Sequence, residues 1–296
     1  MKYLFGKYYL GIRYNLRRII DFPYDKMLIH ELHEKIVNFE PDIILFHPVD
    51  FSYFYFFLEM FKGKIPLLGW LGVHPDYINK LILKSYIEAD CLLYYDPEYE
   101  KIFKNIGCRR TERLPFGIDI DNFNAVSPSP DKELENSIVF TGAVNEERLE
   151  YFRKIADLPF RIYSYNKEIV SEGGLSSNLR AEVYGSEMIS IMKSSAIVLN
   201  IHRKLEISGG NYRLFEIPAA KACQLVDYKP GISEYFEIGK ELMTFKDKDE
   251  FVKQSRILLH DKAMREEIGK AGYERVKREH TINIRVERLI EIINSL

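Results

Sequence analysis

Cysteine is scarce in this sequence and unpatterned. Cys91, Cys108 and Cys223 stand far apart, are odd in number and form no C-x-x-C pair. They offer no disulfide framework, and a reduced, cytoplasmic compartment is expected. No apolar run reaches the roughly 18 residues that a membrane span needs. The opening Met1–Phe5 lacks the sustained apolar stretch of a secretory leader, so none is expected. An excess of charge of one sign is also missing. Lys and Arg number 42 against 44 Asp and Glu, for a formal net charge of −2. No global field then draws the chain to nucleic acid or to anionic lipid, and no nucleic-acid partner is expected. Glutamine occurs only at Gln224 and Gln254 while Lys, Glu and Ile abound, a bias shared by thermophiles and AT-rich genomes. A metal-binding carboxylate cluster is absent too. Asp119 and Asp121 form D-x-D, but a turn between strand and linker accounts for both and no third carboxylate stands nearby, so no metal is expected.

What is present is ordinary for a globular protein: 46% apolar and 29% charged residues, with 14% aromatics supplied almost wholly by Tyr and Phe. A chain of 296 residues suffices for two domains with separate cores. Short apolar runs alternate with longer amphipathic ones, the pattern of an α/β protein with parallel sheets. After a helical Tyr24–Phe39, strands are expected at Asp42–Phe46, Pro66–Leu71 and Cys91–Tyr95. A helix at Glu98–Ile106 stops at Gly107, and a short strand follows at Arg113–Ile118. Ala125–Asp131, rich in Pro and Ser, reads as a linker. A second series then begins, with strands at Ser137–Thr141, Phe160–Ser164, Ala196–Ile201, Cys223–Val226 and Leu242–Phe245. Helices close the chain at Lys248–Leu259, Lys262–Glu279 and Ile284–Leu296. The expected domains are 1–120 and 121–296.

The stretch Leu199–Asp227 carries the most chemistry. It runs strand, polar loop, the glycine pair Gly209–Gly210, then a helix opened by Asn211-Tyr212-Arg213 and carrying Glu216. Backbone at a glycine pair can approach a ligand closely. A helix N-terminus beside it offers unpaired N–H groups and partial positive charge, which suits phosphate. Arg213 and Glu216, three apart, share a helix face, so one can neutralise a diphosphate while the other accepts from sugar hydroxyls. A tight turn with a surface ion pair gives the same letters. Gly142 and Arg148 repeat the theme after the first strand of the second domain, where an ordinary βα turn is the alternative.

Elsewhere, His74 follows the strand Pro66–Leu71, and His47 follows Asp42–Phe46. Ligands bind at the carboxyl ends of parallel strands, where a histidine can act as a general base; a packed loop histidine is the competing reading. Asp50 and Asp76 are further acceptor-side candidates. Leu114–Asp119 reads either as an exit loop or as a hinge. His30-Glu31-Leu32-His33 is not a zinc motif, because its histidines are three apart rather than four. The aromatic run Phe51–Phe61 fits a helix buried on a sheet, or a membrane or acceptor surface.

In their order along the chain, several segments resemble the group-1, family-4-like glycosyltransferases, specifically their spore-maturation CgeB-like branch. The segments are Ile138–Gly142 with Arg148, Ile197–Arg203, Gly209–Asp227, Glu234–Phe236, Gly239–Glu241, Ala271–Val276 and His280-Thr281 with Arg285. Pro66–Tyr77 and Leu114–Phe123 match more loosely. The resemblance implies a GT-B fold, in which two Rossmann-like domains with parallel sheets face a central cleft and the last helix crosses back to the first domain. It implies a nucleoside diphosphate sugar of UDP or GDP type bound by the C-terminal domain, with no other cofactor. Glu216 would take the ribose hydroxyls. Gly142, Arg148, Gly210, Asn211, Tyr212 and Arg213 would surround the diphosphate, with Asn200, His202, Ser208 and Gly209 in the same donor region. His74 would be catalytic on the acceptor side, aided by Arg148 and Arg213. The family often has a second Glu eight residues before the ribose Glu; here that position is Ser208, and Glu206 is out of register.

The expected activity is metal-independent sugar transfer to a glycan, lipid-linked or protein acceptor, with retention of anomeric configuration. Two rivals are a nucleotide-sugar epimerase on the same fold and a non-catalytic GT-B scaffold. Residues 1–20 and 51–61 are candidates for peripheral contact with the inner face of a membrane.

Overall fold

The structure, a computed structural model, describes residues 30–47, 58–72 and 86–296. The start of the expected Tyr24–Phe39 helix, most of the Phe51–Phe61 run and residues 1–20 lie outside them. Of that run, Leu58 and Phe61 are described, and both are buried. The chain forms two compact units. One comprises residues up to Tyr94, Tyr99–Arg113 and Leu296; the other comprises Tyr95–Glu98 and Leu114–Ser295. Apart from Tyr95–Glu98, the second unit begins at Leu114.

The first unit has a parallel sheet of β1 (Ile44–Phe46), β2 (Leu67–Leu71), β3 (Cys91–Tyr94) and β4 (Thr111–Arg113), in the order β1-β2-β3-β4. Gly69 lies mid-strand because a Cβ there would meet Phe46 and Tyr86 ring carbons at 2.9 Å. The last strand ends at Arg113, where sequence alone places its start. Pro115 has no N–H to continue a ladder. Residues 30–39 are helical, with Glu31 and Lys35 paired at 2.7 Å along the exposed side.

In the second unit a parallel sheet runs in the order β10-β9-β8-β5-β6-β7. Its strands are β5 (Ile138–Thr141), β6 (Phe160–Tyr163), β7 (Leu179–Arg180), β8 (Ile197–Asn200), β9 (Gln224–Asp227) and β10 (Met243–Phe245). The two-residue β7 is not foreseen in the sequence. The chain starts in the middle at β5, winds outward through β7, and returns to β8 beside β5. That is a doubly wound sheet with its switch point between β5 and β8. Successive side chains alternate between faces. Ile197 and Leu199 enter one core with Ile138 and Phe140, while Val198 enters the other with Val226, Leu214 and Phe215. Both faces are covered, which is why the strands read as unbroken apolar runs. Each fully buried Val, Leu, Ile or Phe contributes about 1.5–3 kcal/mol.

The Pro/Ser-rich Ala125–Asp131 stretch lies inside the second unit and is held down along its length. Lys193 Nζ donates to Val126 O at 2.6 Å, and Ser129 N donates to Ser194 Oγ at 2.7 Å. Asp131 caps the 3-10 helix Lys132–Asn136 and accepts from Arg161. Leu114–Asp119 is similarly fastened. Ile118 N donates to His280 O, Ile282 N to Ile118 O, both at 2.9 Å, and Arg285 Nε to Phe116 O at 3.0 Å. Gly117 allows this approach, since a Cβ would sit 2.7 Å from Arg285 Cγ and 2.9 Å from Ile282 Cα. Asp119 caps the helix Ile120–Ala125, which accounts for it without a ligand. The closing helices Lys248–His260, Lys262–Glu279 and Ile282–Asn294 are capped by Asp247, Asp261 and Thr281.

Candidate functional site

Strands β5, β8 and β9 bring their carboxyl ends together at the switch point, the place where doubly wound sheets bind ligands. Gly142 follows β5 at φ 138°, a conformation that favours glycine. Asn200 ends β8 and Asp227 ends β9. The helix Tyr212–Ala219 starts beside them, capped by Asn211, whose Oδ1 accepts from Leu214 N at 2.9 Å. Asn200 and Asn211 exchange side-chain hydrogen bonds in both directions at 3.0 Å. This two-way bond fastens the helix start to the end of β8. The first N–H groups of that helix have no intrahelical acceptor and carry partial positive charge.

Arg213 and Glu216 share a face of this helix, with Nη1 2.9 Å from Oε2. Nη1 also lies 3.0 Å from Met188 Sδ, and Nη2 donates to Thr141 O at 3.4 Å. The guanidinium therefore reaches from the helix to the end of β5. Burial raises the Glu216 carboxyl above its ordinary value, and the Arg213 charge opposes that rise. Thr141 Oγ1 is buried there with no hydrogen-bond partner among the described residues.

His202 is the buried pivot of the loop between β8 and the helix. Its N–H donates to Asp227 Oδ1 at 2.8 Å, its Nδ1 lies 2.7 Å from the same oxygen, and its Nε2 lies 3.0 Å from Gly209 O. Both ring nitrogens face oxygen atoms. Burial raises the Asp227 carboxyl, but the charge and hydrogen bonds of His202, with Lys229, outweigh this and hold it below its ordinary range. The histidine thereby pins Gly209, which has φ 90° and no room for a side chain: a Cβ would lie 2.6 Å from Lys229 Cβ. At Gly210 a Cβ would meet Tyr235 Oη at 3.0 Å. Ser208 N donates to the fully buried Asp96 at 3.3 Å. Tyr212 is partly exposed and packs edge-on against Phe116, with 5.3 Å between ring centroids.

Arg148 lies across the switch point. Its Nε donates to Ile201 O at 2.9 Å, its Nη1 to Ala143 O at 2.6 Å and its Nη2 also to Ile201 O, while the group stacks 5.1 Å over Phe140. Burial lowers its pKa.

The structure thus brings Gly142, Arg148, Asn200, His202, Ser208–Arg213 and Glu216 to one end of one sheet. His74, Asp50 and Asp76 lie outside the described residues. His47 is exposed at the end of β1, its ring 5.3 Å from Trp70. Sequence reading missed Asp227, Asp96 and Thr141. Asp227 had a signal, a carboxylate ending an apolar strand, with a histidine two residues past the end of the neighbouring one. Among the described residues no three His, Cys, Asp or Glu gather as metal ligands, and no helix is long and apolar enough to cross a membrane.

Two α/β units of this kind, each on a parallel sheet, belong to the GT-B fold class. Sucrose-phosphate synthase from Thermosynechococcus elongatus superposes with a TM-score of 0.70 at 11% identity, over 90% of this chain and 77% of that one. HepE from Anabaena, solved with UDP and glucose, gives 0.70 at 13% identity over 93% and 82%. Trehalose-6-phosphate synthase from Burkholderia multivorans gives 0.66 at 12% identity over 92% and 75%. Residues 146–291 match the family described as Glycosyl transferase-like. The matched span includes Arg148, His202, Arg213 and Glu216. No curated protein matches the chain by sequence.

Proposed function

We propose that the chain transfers a sugar from a nucleoside diphosphate sugar to a hydroxyl acceptor, with retention and without a metal ion, as a CgeB-like glycosyltransferase. The observation that carries this reading is the Arg213–Glu216 pair on a helix that starts at the sheet's switch point. Diphosphate oxygens accept from the helix N–H groups and from Arg213. The Glu216 carboxylate accepts from the ribose hydroxyls, and burial strengthens those bonds by excluding competing water. As the bond from the anomeric carbon to the diphosphate breaks, negative charge grows on the leaving oxygens. Donors already aimed at that position stabilise it without reorganisation. HepE, of the same fold, was solved with UDP and glucose, which supports a UDP-type donor. His74 takes the acceptor-side role by resemblance, and a glycan, lipid-linked or protein hydroxyl is the acceptor.

Isothermal titration with UDP, GDP and ADP tests the donor site. One nucleotide is expected to bind the wild type and to bind Glu216→Ala at least about tenfold more weakly, the effect of losing one charge-assisted bond pair. Unchanged affinity in the variant would overturn the assignment. Product analysis with and without acceptor separates transfer from epimerisation, and full transfer by His74→Ala would remove that histidine from the mechanism.

A further inference from the structure

The amino ends of β5, β8 and β9 carry a second concave feature, a cavity of about 330 Å³. Ala196 leads from it into β8, Cys223 into β9, and the helix Lys132–Asn136 into β5. A four-residue strand spans roughly 13 Å, so the cavity and the Arg213–Glu216 site lie at opposite edges of one sheet.

The charges in this cavity are unevenly matched. The carboxylates on its wall are occupied: Asp131 accepts from Arg161 and caps a helix, Glu135 lies 3.4 Å from Lys132, and Glu266 lies 3.7 Å from Lys262. The cations Lys193, Lys221 and Arg265 have no carboxylate partner among the described residues. Lys193 donates to Val126 O; Lys221 Nζ sits 4.3 Å over the Tyr273 ring; Arg265 donates through Nη1 to Leu258 O and Leu259 O. Arg265 is buried, and its Nε and Nη2 have no acceptor among the described residues. Burial lowers the Lys193 ammonium pKa, and the Lys221 charge adds to the effect. Lys221 itself stands at φ 58°, in a region side chains seldom adopt. A concave site lined by three cations without a carboxylate partner among the described residues has the chemistry of an anion receptor, because oxyanions accept from ammonium and guanidinium donors.

We propose that this cavity is a second anion site, which binds the phosphate group of a small phosphorylated ligand between Lys193, Lys221 and Arg265. It is separate from the donor site and does not depend on that reading. The test is a titration of the full chain with inorganic phosphate and with glycerol 3-phosphate, followed by calorimetry and ³¹P line width. The donor site is kept saturated with UDP, or disabled by Arg213→Ala. At least one probe is expected to bind in both backgrounds, with affinity falling as salt rises. Binding by both probes points to free phosphate as sufficient; binding by the ester alone assigns the ligand to phosphate esters. Lys193→Gln and Lys221→Asn should each weaken binding about tenfold, and Lys193→Arg, which keeps the charge, should retain most of it. Asparagine tolerates the left-handed backbone at 221, and melting curves of the unliganded variants confirm folding. Binding of neither probe, displacement by UDP, or unchanged affinity in both charge-removing variants would overturn the proposal.

Discussion

Replacing His202 by alanine tests how the glycine loop is anchored. The ring is fully buried and serves two acceptors, Asp227 Oδ1 at 2.7 Å and Gly209 O at 3.0 Å. A hydrogen bond to a charged group contributes about 1.5–3 kcal/mol and one to a carbonyl about 1 kcal/mol. The space left by the ring adds about 1 kcal/mol. Asp227 keeps the backbone N–H of residue 202 at 2.8 Å and Lys229 Nζ at 3.6 Å. The loss therefore stays within the 3–5 kcal/mol seen when buried pairs are broken, and about 4 kcal/mol is expected. In a unit of 150–250 residues each kcal/mol moves the Tm by about 2–4 °C, so circular dichroism should record a fall of roughly 8–16 °C. Asp227→Asn supplies the pH test. A carboxyl held below its ordinary value contributes stability that is present above pH about 4 and lost as pH falls through the lower folded value. The gap between wild type and Asp227→Asn should be full at pH 6–7 and close in acid. A pH-independent gap, or a His202→Ala variant within about 1 kcal/mol of wild type in urea, would refute the anchoring argument.

Gly209→Ala should destabilise by about 2–3 kcal/mol in urea, because φ 90° and a Cβ 2.6 Å from Lys229 Cβ both oppose it; a change under 0.5 kcal/mol would show that the loop yields. Burial pushes the His280 ring down to about 4, with Arg285 adding to the effect. Stability should then be full above the ordinary histidine value near pH 6.5 and fall by ~3 kcal/mol as pH drops toward 4; His280→Gln should flatten that slope in a series of urea midpoints. Arg213→Ala should weaken nucleotide binding and lower kcat more than it raises KM, because the diphosphate carries more negative charge in the transition state than in the bound donor; steady-state kinetics showing a change in KM alone would assign it to ground-state binding.

The second unit was legible because its signals are local. Strands such as Ile197–Asn200 are short apolar runs covered on both faces, and Asp247, Asp261 and Thr281 cap helices in sequence neighbourhoods that announce them. The helix Tyr212–Ala219 was legible for the same reason, since its cap Asn211 and the Arg213–Glu216 pair lie within two turns. What failed depends on partners distant in the chain. Ala125–Asp131 has the composition of a linker, yet its serines and carbonyls find Ser194 and Lys193 some 65 residues on. Arg113–Ile118 reads as a strand, but its later residues bond to His280–Arg285 rather than to a sheet. Asp227 gains its meaning only from His202, 25 residues earlier.

Arg148 shows how such long-range partners change a role. Its place after a glycine on a helix following β5 suggests a ligand for diphosphate. In the structure three of its five N–H donors go to the carbonyls of Ala143 and Ile201, which lie just past the ends of β5 and β8 on either side of the switch point. A lysine has the charge but not the planar fork needed to hold both carbonyls. Two donors remain, enough for one phosphate oxygen, and among the described residues no carboxylate is paired with the guanidinium. The arginine therefore sets the spacing of the two strand ends and adds positive potential between them. Its effect on an anion depends on first holding the two strand ends in place, so positioning and electrostatics are carried by one side chain.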